Sequence, residues 1–308
     1  MAAMPEQDGN AARAMAGMLG AMGQHGAIAG QPPGSRTVGG RAVGSPASET
    51  HHLSPPAPRS SPTMASNAPG LCCLSGTLHE GTPAGEHFTY KDIEFYLAKP
   101  AVESKKAIIY LSDIFGFPVV NHKLLSDEFA KFGFVTVYPN LFFDDPAPFP
   151  RTAGFDLGKW LEIHNFDVTD KIAQLAIDYV HETFPEVTDI FAVGYCYGAR
   201  NVVHLLMESK LAAGYVAHPS LITEDELRAI KGPLSIAAAE TDEIFPEEKR
   251  HVSEAILKEI GATYSLTLYS SVEHGFAVRS DLAVPNNKWA KEAAFIQAVT
   301  WFERFVSE

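Results

Sequence analysis

The 308-residue chain predicts an α/β fold, with a mostly parallel central sheet and helices on both faces. From about residue 87 onwards, short apolar runs alternate with stretches of helical period. The apolar runs are of the kind found in strands covered on both sides. Gly133, Pro139 and Pro246 punctuate the junctions. Residues 1–63 lack all of this: they are rich in Gly, Ala, Pro and Ser with few large apolar side chains, and cannot bury enough surface to offset the entropy of ordering. The expected organisation is a disordered tail over 1–63 and one folded domain over 64–308.

Within that domain the elements follow in order. Phe88 to Leu97 alternates like an outer strand, and Ala107 to Leu111 is a short buried strand. Asn121 to Phe132 reads as a helix stopped by Gly133, and Phe134 to Tyr138 as the next strand. A Pro- and Phe-rich connection then runs to Pro150, long enough to be a functional loop. Two helices are expected next, the second over Val168 to Glu182, followed by an apolar strand at Ile190 to Val193. Strand Leu211 to Ala217, helix Glu224 to Ile230, strand Leu234 to Ala239, helix Pro246 to Ile260, strand Thr263 to Tyr269 and a last helix from Asn287 to Val306 complete the pattern.

Chemistry enters at Gly194-Tyr195-Cys196-Tyr197-Gly198. A glycine on each side of a residue between a buried strand and a helix lets the chain reverse sharply and holds the central side chain at the rim of the sheet, in the manner of a nucleophile elbow. The helix that follows directs its first free N–H groups at the sulfur, which favours a thiolate. Alone, such a pattern is weak, since a lone cysteine after an apolar run is usually core. Two other rims strengthen it. Asp242 lies just past strand Leu234 to Ala239, and His274 lies in the loop after strand Thr263 to Tyr269. The order nucleophile, acid, histidine is that of the α/β-hydrolase fold.

With Gly194-Tyr-Cys196-Tyr-Gly198, Thr241-Asp242-Glu243, His274-Gly-Phe276 and Asp113-Ile-Phe-Gly116 in hand, the chain from about Cys72 onwards resembles the dienelactone hydrolase family. The resemblance implies Cys196 as nucleophile, His274 as its base, Asp242 as the residue orienting the histidine, and Asp113 in the place of an acidic residue that contacts the cysteine and helps generate the thiolate. Bacterial members carry glutamate there, so this carboxylate is one methylene shorter. Backbone N–H groups of Ile114 and Tyr197 are expected to form the oxyanion hole. The implied activity is hydrolysis of enol lactones or small carboxylic esters through a thioester. A non-catalytic or regulatory binding module on the same fold is the alternative. Neither a metal nor an organic cofactor is expected.

For substrate binding, Arg279 stands where the family places a carboxylate-binding arginine and would favour a small anionic lactone or ester. Tyr195, beside the nucleophile, and His218, in the loop after strand Leu211 to Ala217, are further candidates. Arg200 is a weaker one, His204 reads as helix packing, and Phe142, Phe143, Phe149 and Trp160 are candidate pocket walls. The net charge of −13 disfavours nucleic acid, and no apolar run is long enough to span a bilayer. Cys72, Cys73 and Cys196 make no disulfide framework or zinc spacing. A cytoplasmic location is expected, with a mitochondrial presequence in the tail as the alternative, and a monomer or a homodimer fits equally.

Overall fold

Strand β5 (Asp189–Tyr195) alternates its side chains between two apolar layers, and the rest of the domain is laid down on either side of it. Ile190 and Ala192 join one layer with Ile172 and Val202; Phe191, Val193 and Tyr195 join the other with Phe129 and Phe302. The computed structural model describes residues 62–70, 76–150 and 152–307. The tail expected over 1–63, apart from Pro62 and Thr63, lies outside them, as do Cys72 and Cys73.

The described residues form an eight-stranded sheet in the order β1-β2-β4-β3-β5-β6-β7-β8. Its other strands are β1 (Glu86–Tyr90), β2 (Ile93–Ala98), β3 (Lys106–Leu111), β4 (Val135–Pro139), β6 (Ala213–Ala217), β7 (Leu234–Thr241) and β8 (Tyr264–Glu273). From β4 to β8 neighbouring strands are parallel, while β1–β2 and β2–β4 pair antiparallel. The helices are α1 (Val120–Lys131), α2 (Leu157–Ile163), α3 (Phe166–Thr183), α4 (Gly198–Met207), α5 (Glu224–Ala229), α6 (Glu247–Glu259), α7 (Phe276–Arg279) and α8 (Pro285–Glu303). α1 and α8 supply Phe129 and Phe302 to one layer, and α3 and α4 supply Ile172 and Val202 to the other. No described helix is long and apolar enough to cross a membrane.

The expected single strand over Phe88 to Leu97 is instead a hairpin. Lys91 and Asp92 both take positive φ, 48° and 65°, and Tyr90 pairs with Ile93 across the turn. A two-residue turn preserves the period of two on either side, so alternation alone runs straight through it. β8 also extends to Glu273, past the expected end at Tyr269, and α7 was not anticipated.

Residues 62–70 form a strap across the carboxyl ends of β6 and β7. Met64 bridges to Thr223, and the N–H groups of Ala65 and Ser66 donate to the Ile222 carbonyl. Asn67 donates from its backbone to Ile244 and from its side chain to the Glu243 carbonyl, and accepts from Leu221. The strap thus joins the loop that follows β6 to the loop that follows β7.

Candidate active site

Cys196 sits at the end of β5 with φ at 51° and its side chain fully buried. The turn needs both glycines. A Cβ on Gly194 would come within 2.5 Å of the Gly198 carbonyl oxygen, and one on Gly198 would strike the Leu111 carbonyl. The turn is pinned on both sides: Cys196 N–H donates to Ala217 at 3.2 Å and Gly198 N–H to Ser112 at 3.1 Å. A non-glycine residue is held left-handed here because the flanking backbone leaves it no alternative. The Ser220 hydroxyl lies 3.7 Å from the sulfur.

β7 and β8 deliver the other two residues. Asp242 follows β7; its Oδ1 accepts from the N–H groups of Ile244 and Phe245, which orients the carboxylate, and its Oδ2 lies 2.9 Å from His274 Nδ1. With Nδ1 taken, Nε2 is buried without a hydrogen-bond partner among the described residues, and the Cys196 sulfur is close enough to act on the ring's charge. Burial opposes charge on the ring, but attraction to that sulfur and the bond to Asp242 prevail and raise the His274 pKa to about 10. Cys196, Asp242 and His274 therefore meet at one edge of the sheet.

Asp113, just after β3, is fully buried in a different set of bonds. Oδ1 accepts from Phe115 N–H at 3.0 Å and lies 2.9 Å from His122 Nε2; Oδ2 accepts from Arg279 Nε at 2.7 Å. Burial pushes its pKa up, yet the neighbouring His122 and Arg279 outweigh that and hold the carboxyl well below the usual carboxylate range. Tyr110 reaches His122 Nδ1 at 3.0 Å, so a buried polar chain runs from β3 through α1 to α7. The Arg279 guanidinium also lies over the Phe115 ring, 4.9 Å from its centroid. The N–H groups of Ile114 and Tyr197 meet no acceptor among the described residues.

The remaining candidates divide. His218 is fully buried with its ring centroid 4.8 Å from that of His274. Tyr195 is buried beneath it, packed between Tyr110 and Tyr215. Tyr197 turns to the opposite face, stacks on Phe166 and donates to the His164 carbonyl at 2.6 Å. Arg200 is not at the site: it holds Glu226 through Nε and Nη2 on the surface of α4. Phe142 and Trp160 pack against Tyr197, Phe149 packs on Phe115, and Phe143 points outward. A cleft of about 350 Å³ opens beside the site, with Thr77, His274, Phe276 and Arg279 in its wall.

Sequence reasoning missed His122 and Ser220. A histidine on the first turn of an amphipathic helix looks like any other half-buried polar residue. Ser220 carried a fainter signal, two residues beyond His218 in the same rim loop.

The eight-stranded, mostly parallel sheet with its strand order and its helices on both faces is the α/β-hydrolase fold. Residues 93–306 match the model of the dienelactone hydrolase family, and the chain belongs to that family. It is 44% identical over 246 residues to hydrolase pyvD of Aspergillus violaceofuscus, covering 80% of this chain and 100% of that protein. It is 41% identical over 254 residues to hydrolase tropI of Talaromyces stipitatus, with the same coverage. The human carboxymethylenebutenolidase homolog is 25% identical over 247 residues, 79% of this chain and 100% of that one. Among solved structures, a putative dienelactone hydrolase from Klebsiella pneumoniae superposes with a TM-score of 0.60 at 15% identity, covering 73% of this chain and 100% of that one.

Proposed function

We infer that this hydrolase cleaves lactones or small carboxylic esters through Cys196, His274 and Asp242. The observation that carries the reading is the Asp242–His274 bond of 2.9 Å beside a cysteine held at φ 51° on a strand-to-helix turn. A raised His274 pKa favours an imidazolium beside a thiolate. The thiolate attacks the carbonyl carbon, and the carbonyl electron pair moves to oxygen, where the N–H groups of Ile114 and Tyr197 receive the charge. Collapse breaks the bond to the leaving oxygen, which takes the proton from His274, and leaves a thioester. Neutral His274 then removes a proton from water as it attacks, and the thiolate is released.

In this arrangement Asp113 acts as the anchor of Arg279. A carboxylate so strongly held by an arginine and a histidine is a poor proton acceptor, so its contribution to the thiolate is by position and charge. Arg279, at the cleft wall, is the residue that would favour an anionic substrate. The relatives' names, hydrolases and carboxymethylenebutenolidase homologs, support an enzyme over a non-catalytic module.

Turnover of p-nitrophenyl acetate and of an enol lactone tests the reading. Cys196→Ala is expected to lose at least about a thousandfold in kcat, and quenched wild-type reactions are expected to carry an acyl mass on the Cys196 peptide. Turnover that survives the substitution would remove the mechanism.

A further inference from the structure

His218 is fully buried, and neither of its ring nitrogens has a hydrogen-bond partner among the described residues. Leaving a buried polar group unmade is expensive, about 1–3 kcal/mol for each donor or acceptor. The backbone adds to the cost: His218 takes φ at 39°, the left-handed region that a side chain adopts only when its surroundings impose it. The position is fixed by the sheet, since His218 N–H donates to Ala237 at 2.8 Å while Tyr195 and Phe276 flank the ring. The ring therefore holds two unmet hydrogen-bonding atoms directly behind His274 and Phe276, which line the cleft, and is itself enclosed by them.

The electrostatic surroundings fix which form of the ring waits there. Burial is the largest influence and holds the pKa well below the ordinary value; His274 and Arg279 also disfavour a proton, while Asp113 and the residue's own backbone favour one more weakly. A neutral imidazole presents one donor and one acceptor. A carboxylate would satisfy only the donor, and an ammonium only the acceptor. A hydroxyl can engage either nitrogen, and a carbonyl oxygen only the protonated one.

We propose that His218 is a specificity-determining residue that binds an uncharged hydroxyl of the substrate, so that the preferred substrates are hydroxylated lactones or esters. The proposal rests on the lactone or ester reading above and names the substituent that the site selects. A pocket built to hydrogen-bond a hydroxyl discriminates strongly against the analogue without it, because the buried partner is then left unpaired.

Binding to the Cys196→Ala protein separates this from catalysis. Phthalide and two ring-hydroxylated phthalides serve as probes, with titration calorimetry as readout. At least one hydroxylated probe is expected to bind about tenfold or more tighter than phthalide. His218→Phe should reduce that preference to about twofold or less, and His218→Gln, which keeps a donor and an acceptor, should retain most of it. If the Phe variant does not fold, the imidazole nitrogen resonances of His218 in the parent protein decide: they are expected to move with a hydroxylated probe and not with phthalide. Equal affinities for all three probes, a preference that persists in His218→Phe, or resonances indifferent to the hydroxyl would overturn the proposal. Absence of ester turnover in wild type would instead overturn the catalytic reading and leave this binding comparison intact.

Discussion

Cys196 and Asp113 illustrate two opposite uses of a buried ionisable side chain. Cys196 helps to raise the pKa of His274, so under the proposed mechanism its reactivity is expected to persist at mildly acidic pH. Alkylation of the Cys196 peptide by iodoacetamide, followed by mass spectrometry at about pH 6, should remain fast in wild type and slow by about tenfold or more in His274→Ala. Asp242→Asn keeps the shape but supports the wrong imidazole tautomer, and kcat is expected to fall by about a hundred- to ten-thousandfold. Asp113, by contrast, is committed to His122 and Arg279. Asp113→Ala leaves a buried guanidinium without its carboxylate and should lower the unfolding free energy by about 3–5 kcal/mol in denaturant melts. Because its folded pKa lies below the ordinary 3.8, the carboxylate's contribution is full above that value and is lost as pH falls beneath it. The gap between wild type and variant should therefore narrow on acidification. The places of Cys196, Asp242 and His274 at the ends of β5, β7 and β8 were legible in the sequence because each follows a recognisable strand. His122 and the orphaned ring of His218 were not, because hydrogen-bond partners depend on which distant helices and loops meet.

At the scale of elements, one polar network ties three helices together. His204 on α4 lies 2.6 Å from Asp170 on α3 and 2.9 Å from Glu226 on α5, and Arg200 closes onto the same Glu226. Burial resists protonation of His204, but the two carboxylates prevail and raise its pKa to about 9. A raised folded pKa gives stability that is full below the unfolded value of 6.5 and is lost as pH rises through about 9. His204→Gln is expected to lower stability by about 1–2 kcal/mol near neutrality, and to flatten the loss of melting temperature that wild type shows on going to alkaline pH. Parallel strands with their continuous apolar runs were readable one by one, and so were the longer helices. The β1–β2 hairpin was hidden because Lys91 and Asp92 carry no glycine to announce a turn. The extra length of β8 was hidden because Ser270, Ser271 and Glu273 are polar and follow an irregularity in the register, past which Ser271 N–H donates to the Glu240 carboxylate and Glu273 pairs with Thr241.

For the whole molecule, the folded unit is set by contacts rather than composition at its amino-terminal border. Thr63 accepts from Glu224 N–H, and Met64 accepts from the Lys249 side chain, so the strap begins about where the Gly- and Pro-rich stretch ends. Removing residues 1–61 is expected to leave melting temperature and turnover nearly unchanged, measured side by side with the full chain; a large loss in either would assign that stretch to the fold. Cutting farther in has another meaning. The strap grips the loop of Asp242 through Glu243 and Ile244, and the loop of His218 through Leu221 and Ile222, and Ala65 tucks into the core beside Val216 and Ile236. A protease that trims past Asn67 would therefore remove a small edge of the core and slacken the loops holding Asp242 and His218, the residues to which the proposed mechanism and the proposed hydroxyl preference are assigned. Catalysis should fail before thermal resistance does, with kcat down by up to about a hundredfold, so the point of amino-terminal trimming acts as a setting for activity.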